Sequence, residues 1–257
     1  MKKLFLTLLV FTGAAFAQSP FDGTWVSDVG AAQFSKKPHT YVLNKGMYTC
    51  STCVPKISVN ADGKDQAVSG SNYFNTESIR EVDANTIEEV DKKDGKTMYK
   101  DTFTVSTDGK TLTDKFEDDS EDKPVTGEVI MSRISKGPAG SHAISGSWRT
   151  EKMANMSSNG LSVTLQSTPN GLKMSDNNGQ SYDVKFDGKD YPIQGDPGNT
   201  MVSLKKLNAH TLEETDKRNG KIVATARITV SADGKKTTYV SHDVERDRTS
   251  TFVLNKK

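Results

Sequence analysis

Apolar and polar side chains alternate along much of this chain. The alternation is clearest in "YKDTFTV" (99–105) and in "ATARITV" (224–230). Successive side chains of a β-strand point to opposite faces, so a period of two predicts strands with one face buried and the other in water. Threonine is abundant in these stretches, which suits half-exposed strands.

Pairs of Asp or Asn with Gly interrupt the alternating stretches. The pairs are Asp62-Gly63, Asp94-Gly95, Asp108-Gly109, Asp187-Gly188, Asn219-Gly220 and Asp233-Gly234. Such pairs tolerate the positive φ angles of tight hairpin turns, so each predicts a short connection between antiparallel strands. Two segments, Val29–Lys37 and Glu151–Ser157, are the candidates for short helices.

One unit of sequence occurs twice. The string "TIEEVDKKDGK" at 86–96 returns as "TLEETDKRNGK" at 211–221, an offset of 125 residues. Counted over the 25 residues that start at these two places, 13 positions are identical. Near the ends the offset is 123, because "FDGTW" (21–25) matches "ISGSW" (144–148). A repeat this long indicates a duplicated domain rather than a solenoid.

The repeat sets the predicted domain boundaries. We predict a first β-barrel repeat at residues 18–134 and a second at residues 144–257, each of a usual domain size. Residues 135–143, "SKGPAGSHA", are rich in Gly, Pro and Ser and form the predicted linker. We expect each unit, separated within this linker, to fold alone.

The turn count predicts about eight to ten short strands in up-and-down order in each unit. A meander of this kind must hide its edge strands, and closing the sheet into a barrel does so. Only 33% of the chain is hydrophobic, which also suits strands with one face in water. The predicted fold class is therefore all-β, with two tandem up-and-down antiparallel barrels.

The opening strands carry a Gly-x-Trp motif, "GTW" at 23–25 and "GSW" at 146–148. Together with the chain of Asp-Gly hairpins and a basic residue in the last strand, this motif resembles the calycins, the lipocalin and fatty-acid-binding-protein barrels. The resemblance implies that Trp25 and Trp148 close the barrels. It also implies that Arg133 in the first unit and Lys256 in the second pack across them.

A barrel of this size can hold one small apolar ligand. The alternation supplies six candidate ligand-binding residues, namely Tyr99, Phe103, Val105, Ala224, Ala226 and Ile228. The second unit has the smaller side chains in this strand, so it offers more room if they face inward. The alternative is an interior filled by side chains, with no cavity.

The chain begins with a basic pair, Lys2 and Lys3, then an apolar run and "AFA" before Gln18. This pattern is typical of a secretory signal peptide at residues 1–17, cleaved after Ala17. Cleavage leaves 32 of the 34 basic residues against 33 acidic ones, a net charge of −1. We therefore expect a periplasmic or secreted protein that inserts in no membrane and binds no nucleic acid.

Cys50 and Cys53, in "CSTC", are the sharpest local signal. Because an exported protein meets an oxidising environment, we predict a local disulfide, and a thiol switch or metal ligation stays open as the alternative. The acidic run at 116–123, "FEDDSEDK", matches no calcium-loop spacing, so we predict no metal site. No nucleophile, phosphate-binding or dinucleotide motif is present, and we predict no catalytic residue and no cofactor.

These observations favour an exported, non-enzymatic protein that binds or carries a small, apolar ligand. The alternative is a structural or protein-interaction module of the cell envelope with filled barrels and no ligand. The sequence leaves the oligomeric state open.

Overall fold

A computed structural model describes residues 19–257, and the predicted signal peptide lies outside these residues. Nearly all regular structure is β-strand. The first ten strands are β1 (Gly23–Ser27), β2 (His39–Asn44), β3 (Met47–Cys50), β4 (Ile57–Asn60), β5 (Gln66–Ala67), β6 (Thr76–Asp83), β7 (Thr86–Lys93), β8 (Lys96–Val105), β9 (Thr111–Asp118) and β10 (Val125–Lys136). The other ten are β11 (Gly146–Ala154), β12 (Ser162–Thr168), β13 (Gly171–Asp176), β14 (Ser181–Lys185), β15 (Tyr191–Pro192), β16 (Met201–Asn208), β17 (Thr211–Arg218), β18 (Lys221–Val230), β19 (Lys236–Asp243) and β20 (Arg248–Lys256).

The strands form two antiparallel sheets of ten strands each. The first sheet has the order β4-β3-β2-β11-β10-β9-β8-β7-β6-β5, and the second has the order β14-β13-β12-β1-β20-β19-β18-β17-β16-β15. Each sheet curls into a nearly closed barrel. The isolated bridge Asp62↔Arg80 joins the chain after β4 to β6, and Ser181↔Gln194 joins β14 to the chain after β15, so the two ends of each sheet come close together. The predicted all-β fold of two up-and-down barrels is confirmed.

Four of the six Asp-Gly and Asn-Gly pairs form the predicted hairpins, those at 94–95, 108–109, 219–220 and 233–234. The hairpin prediction is wrong for the pairs at 62–63 and 187–188, because each connects the two strands at opposite edges of a sheet, which do not pair with one another. In the β7–β8 turn Asp94 has φ 53° and Gly95 has φ 84°, and in the β17–β18 turn Asn219 has φ 50° and Gly220 has φ 74°. Two successive residues with positive φ match the right-handed twist of the flanking strands. The same short sequence therefore returns because both barrels use the same hairpin.

The two barrels do not coincide with the two sequence repeats. Strand β1, which opens the first repeat, lies in the second barrel between β12 and β20, and β11, which opens the second repeat, lies in the first barrel between β2 and β10. The first barrel thus comprises β2–β11, and the second comprises β1 with β12–β20. The predicted boundaries of 18–134 and 144–257 differ from the barrel boundaries by one exchanged strand.

The predicted linker explains this exchange, because it is a packed turn rather than a spacer. Gly137 N–H donates to Ser145 O at 3.0 Å, and His142 N–H donates to Leu43 O at 2.9 Å. The turn folds β11 back onto β10, and strands joined by a short connection pair with one another. Strand β1 lies in the second barrel, and the 11 residues between Ser27 and His39 connect it to β2 of the first barrel.

The interior of each barrel holds its own apolar core. The first core includes Tyr41, Leu43, Ile79, Phe103 and Trp148, and the second includes Trp25, Leu172, Leu204, Leu212 and Ile228. These side chains come from alternate positions of neighbouring strands, as the period of two predicts.

Within residues 19–257, helix is confined to two 3₁₀ turns, Val29–Ala31 and Ser158–Leu161. The first falls inside the candidate segment Val29–Lys37. The second candidate, Glu151–Ser157, is wrong as a helix, because Glu151 to Ala154 complete strand β11, and Lys152 to Ala154 pair with β10. Among residues 19–257 no helix has the length and apolar character needed to cross a membrane.

Candidate functional site: the cavity of the second barrel

The interior of the second barrel contains a cavity of about 420 Å³. Its wall is mostly apolar and includes Trp25, Leu165, Ile193, Ile228, Phe252 and Leu254. Gly160 and Leu161 of the second 3₁₀ turn also line it. Ligand pockets have volumes of about 300–1,000 Å³ and largely apolar walls, so this cavity has the size and character of a small-molecule site.

Polar side chains also contribute to this wall. Glu214 accepts hydrogen bonds from the hydroxyls of Tyr239 at 2.9 Å and Tyr182 at 3.4 Å. Among the described residues, Asp216 Oδ1 and Thr237 Oγ1 are buried without a hydrogen-bond partner. A buried polar atom without a partner destabilises the fold, so these two atoms are available to a polar group of a bound molecule.

Two of the carboxyl groups that line the cavity, those of Glu214 and Asp216, are shifted toward the neutral form. Burial raises the pKa of Glu214, and the hydrogen bonds from Tyr239 and Tyr182 oppose this rise. Burial, then the charge of Glu214, raises the pKa of Asp216 to about 8, while Arg218 lowers it and Asp196 raises it further. A neutral carboxyl can donate as well as accept, so the wall can serve either kind of polar ligand group.

The equivalent positions of the first barrel hold different side chains. At an offset of 125, the first barrel has Phe103, Asp114 and Glu77 at the positions equivalent to Ile228, Tyr239 and Val202 of the second barrel. The ring of Phe103 packs against Tyr41 with the ring centroids 5.8 Å apart. The first barrel thus places aromatic rings and carboxyl groups where the second has a cavity.

The six candidate ligand-binding residues do not gather at one site. Phe103 and Val105 are buried in the first core, and Ala226 is buried in the second barrel. Ile228 lines the cavity of the second barrel. Ala224 is half-buried and lies outside the set of cavity-lining residues.

Tyr99 lies directly opposite Asp91 in the register of β7 and β8. It lines a cavity of about 460 Å³ together with Tyr73, Asp91, Arg218 and Arg246, which come from both barrels. The guanidinium of Arg218 lies 4.8 Å from the ring centroid of Tyr73 across this boundary. Tyr99 is therefore placed at the mouth of the first barrel, where it faces the second.

The residues predicted to close the barrels form two pairs, and each pair joins a basic residue of one repeat to the Trp of the other repeat. The guanidinium carbon of Arg133 lies 3.8 Å from the ring centroid of Trp148, and Lys256 Nζ lies 5.0 Å from that of Trp25. Both indoles are fully buried. The basic residue of each repeat therefore packs on the Trp of the other repeat, because the opening strands are exchanged.

The glycine of the Gly-x-Trp motif has a steric role. Gly146 has φ 139°, and a Cβ at this position would collide with the carbonyl oxygen of Ser135 and with Arg133. A side chain at this position would therefore displace β10 or the guanidinium that covers Trp148.

Cys50 and Cys53 form a disulfide, with their Cα atoms 5.4 Å apart. Cys50 is buried in the first core, and Cys53 packs against it. The prediction of a local disulfide is confirmed. The bond ties the end of β3 to the loop that precedes β4.

Sequence reasoning missed the carboxyl groups that point into the barrels. Glu89 and Asp91 in β7 share a strand face with the buried Ile87, and Glu214 and Asp216 in β17 share a face with the buried Leu212. The signal that could have found them is the same period of two, followed through the acidic residues instead of stopping at them.

Comparison of the chain with protein-family models, with curated proteins and with solved structures finds no match.

The raised pKa of Asp216 predicts a pH-dependent stability. The group has a pKa of 3.8 when unfolded and about 8 when folded, so between these values the folded protein binds more protons than the unfolded chain. The contribution of Asp216 to the free energy of unfolding is fully present below pH ~4 and is lost as the pH rises toward ~8. Asp216→Asn lacks this titration. Its free energy of unfolding should therefore rise relative to that of wild type by up to ~1.4 kcal/mol per pH unit between pH ~4 and ~8. Urea unfolding at several pH values measures it.

Asp233→Asn is the matched control. Asp233 is exposed, and hydrogen bonds from the Ser231 side chain and the Lys235 backbone lower its pKa. Its stability difference from wild type should stay constant from pH 4.5 to 7.5. Parallel pH profiles for wild type and Asp216→Asn would contradict the burial of a neutral Asp216.

Proposed function

We propose that this protein binds a small, largely apolar molecule in the cavity of the second barrel, as an exported, non-enzymatic binding or carrier protein. The observation that carries the proposal is the 420 Å³ apolar cavity with unpartnered polar atoms in its wall. The Gly-x-Trp strands and their covering basic residues, which resemble those of calycin barrels, support the same reading.

The wall also suggests what the ligand is like. The apolar side chains would bury most of its surface, at about 25 cal/mol per Å² of apolar area removed from water. Asp216 Oδ1 and Thr237 Oγ1 would receive a hydroxyl, amide or amine group. A ligand with one polar group on an apolar body fits this arrangement, and a highly charged ligand does not.

The repeats provide a reciprocal pair of variants to test the proposal. Ile228→Phe places the first barrel's residue in the cavity, and Phe103→Ile places the second barrel's residue in the filled core. The purified protein is titrated with N-phenyl-1-naphthylamine, whose fluorescence rises in apolar surroundings. We expect saturable binding to wild type, a loss of about ten-fold or more in affinity for Ile228→Phe, and wild-type affinity for Phe103→Ile.

Thermal unfolding of each variant shows that the fold is retained. Equal probe binding by Ile228→Phe and wild type would contradict the cavity as the site. No saturable binding by wild type would favour the alternative, an envelope interaction module that acts through its surface.

A further inference from the structure

The interior of the first barrel contains five carboxyl groups on four adjacent strands. They are Glu77 on β6, Glu89 and Asp91 on β7, Asp101 on β8 and Asp114 on β9. Glu77 lies directly opposite Asp91 in the strand register, and Glu89 lies opposite Asp101. Carboxylates directly opposite one another repel, so this interior is stable when the groups are protonated or when a cation lies between them.

Few groups of the protein form ion pairs or hydrogen bonds with these five carboxyl groups. Among the ion pairs of the described residues, none includes any of these five groups. The Tyr48 hydroxyl donates to Glu89 at 3.3 Å. Glu77 is only 1% exposed, yet neither of its carboxylate oxygens has a hydrogen-bond partner within residues 19–257. Asp91 is 7% exposed and Asp114 is 8% exposed, and in each of them Oδ1 has no hydrogen-bond partner among the described residues.

Three of these groups are close enough to share one ion. Oxygen atoms of Glu77, Glu89 and Asp91 lie within 4.8 Å of one another. Ca²⁺ binds oxygen ligands at about 2.3–2.6 Å, so two ligands of one ion are at most about 5 Å apart. An all-carboxylate set suits a hard cation, and side chains able to bind through two oxygens suit Ca²⁺ better than the smaller Mg²⁺.

The fold does not require this cluster. At the equivalent positions of the second barrel Val202 replaces Glu77, Ala226 replaces Asp101 and Tyr239 replaces Asp114. Glu214 and Asp216 remain there, but Tyr239 and Tyr182 donate hydrogen bonds to Glu214. The second barrel thus forms the same sheet without the group of three close carboxylates.

We propose that the first barrel binds a calcium ion through Glu77, Glu89 and Asp91, with Asp101 beside them. Asp91 lines the 460 Å³ cavity between the barrels, which provides a route from solvent to the site. This site is separate from the cavity of the second barrel, and its test does not depend on the apolar ligand.

The test measures calcium binding by the whole chain after removal of metal with a chelator. Isothermal titration with CaCl₂ should show a single ion bound per chain. The thermal midpoint should rise with Ca²⁺ and much less with MgCl₂ at equal concentration. At a free Ca²⁺ concentration one hundred times Kd, the folding equilibrium shifts about 100-fold toward the folded state. Terbium, a luminescent substitute for Ca²⁺, should be sensitised by the nearby Tyr48.

The repeat provides the variants and the control. Glu77→Val introduces the residue of the second barrel, which the same sheet accepts, and Asp91→Asn removes a second ligand. Both should abolish calcium binding and the thermal shift while the chain stays folded. Asp216→Asn, the equivalent of Asp91→Asn in the other barrel, should bind calcium as wild type does.

The proposal is overturned if wild type shows neither binding heat nor a thermal shift with Ca²⁺. It is also overturned if Glu77→Val and Asp91→Asn keep both, because the ion would then bind elsewhere. Equal shifts with Ca²⁺ and Mg²⁺ would reject calcium as the ion.

Discussion

A fragment of residues 36–157 is expected to fold on its own, whereas a fragment of residues 19–140 is expected to form no stable monomer. The first fragment contains every strand of one barrel, β2–β11. The second follows the sequence repeat and must use β1 in place of β11. Strand β11 has nine residues and pairs with β10 from Glu128↔Ala154 to Lys136↔Gly146, but β1 has only five residues.

The substitution would leave about half of the β10 edge unpaired. Unpaired strand edges favour pairing with another chain, so we expect the 19–140 fragment to aggregate or to dimerise by exchanging β1. Circular dichroism during urea unfolding measures the cooperativity, and light scattering after size exclusion measures the mass. A monomeric 19–140 fragment as stable as 36–157 would contradict a requirement for the exchanged strand.

The general fold could be predicted because its signals are local. Each Asp-Gly or Asn-Gly pair specifies a turn by its own backbone preference, and the period of two specifies which side chains are buried. In β8 the pattern placed Phe103 and Val105 in the core, where they lie. These signals can be recognised in a single sequence because they do not depend on which strands pair with one another.

The strand exchange could not be predicted in the same way. Strands β1 and β11 carry nearly the same motif, and either one satisfies the Gly-x-Trp pattern beside a basic residue. The difference arises in the chain connections, because the turn at 137–145 is packed by hydrogen bonds to Leu43 and returns β11 directly onto β10. Such a long-range contact leaves no periodic signal in the sequence.

The buried acidic residues of the two barrels could not be predicted for a different reason. An acidic residue in a strand ordinarily faces water, so the alternation by itself does not mark an acidic position as buried. Glu77, Asp91 and Asp216 occupy inward positions of the same alternation, and their burial depends on how completely each sheet curls. The second barrel contains a cavity where Ile228 stands in place of the larger Phe103, and this difference can be interpreted once both side chains are known to point inward.

Replacing Trp148 with alanine is expected to lower the free energy of unfolding of the first barrel by about 3–5 kcal/mol. Trp148 is fully buried in the first core, so alanine leaves a large cavity. Its indole N–H donates to Ile144 O at 2.8 Å, and the Arg133 guanidinium lies 3.8 Å from its ring centroid. The loss of this cation–π contact contributes about 0.5–2 kcal/mol of the total.

The two tryptophans make this measurement specific to one barrel. In Trp148→Ala the remaining indole, Trp25, lies in the second barrel, so its fluorescence follows that barrel, whereas circular dichroism follows both. We expect the circular dichroism transition of the first barrel to shift to lower urea while the Trp25 transition stays in place. Trp148→Phe is the control that keeps an aromatic ring under Arg133, and it should lose much less stability. A loss below about 1 kcal/mol in Trp148→Ala would show that the exchanged strand contributes little to closing the barrel, because full burial of a Trp side chain predicts several times more.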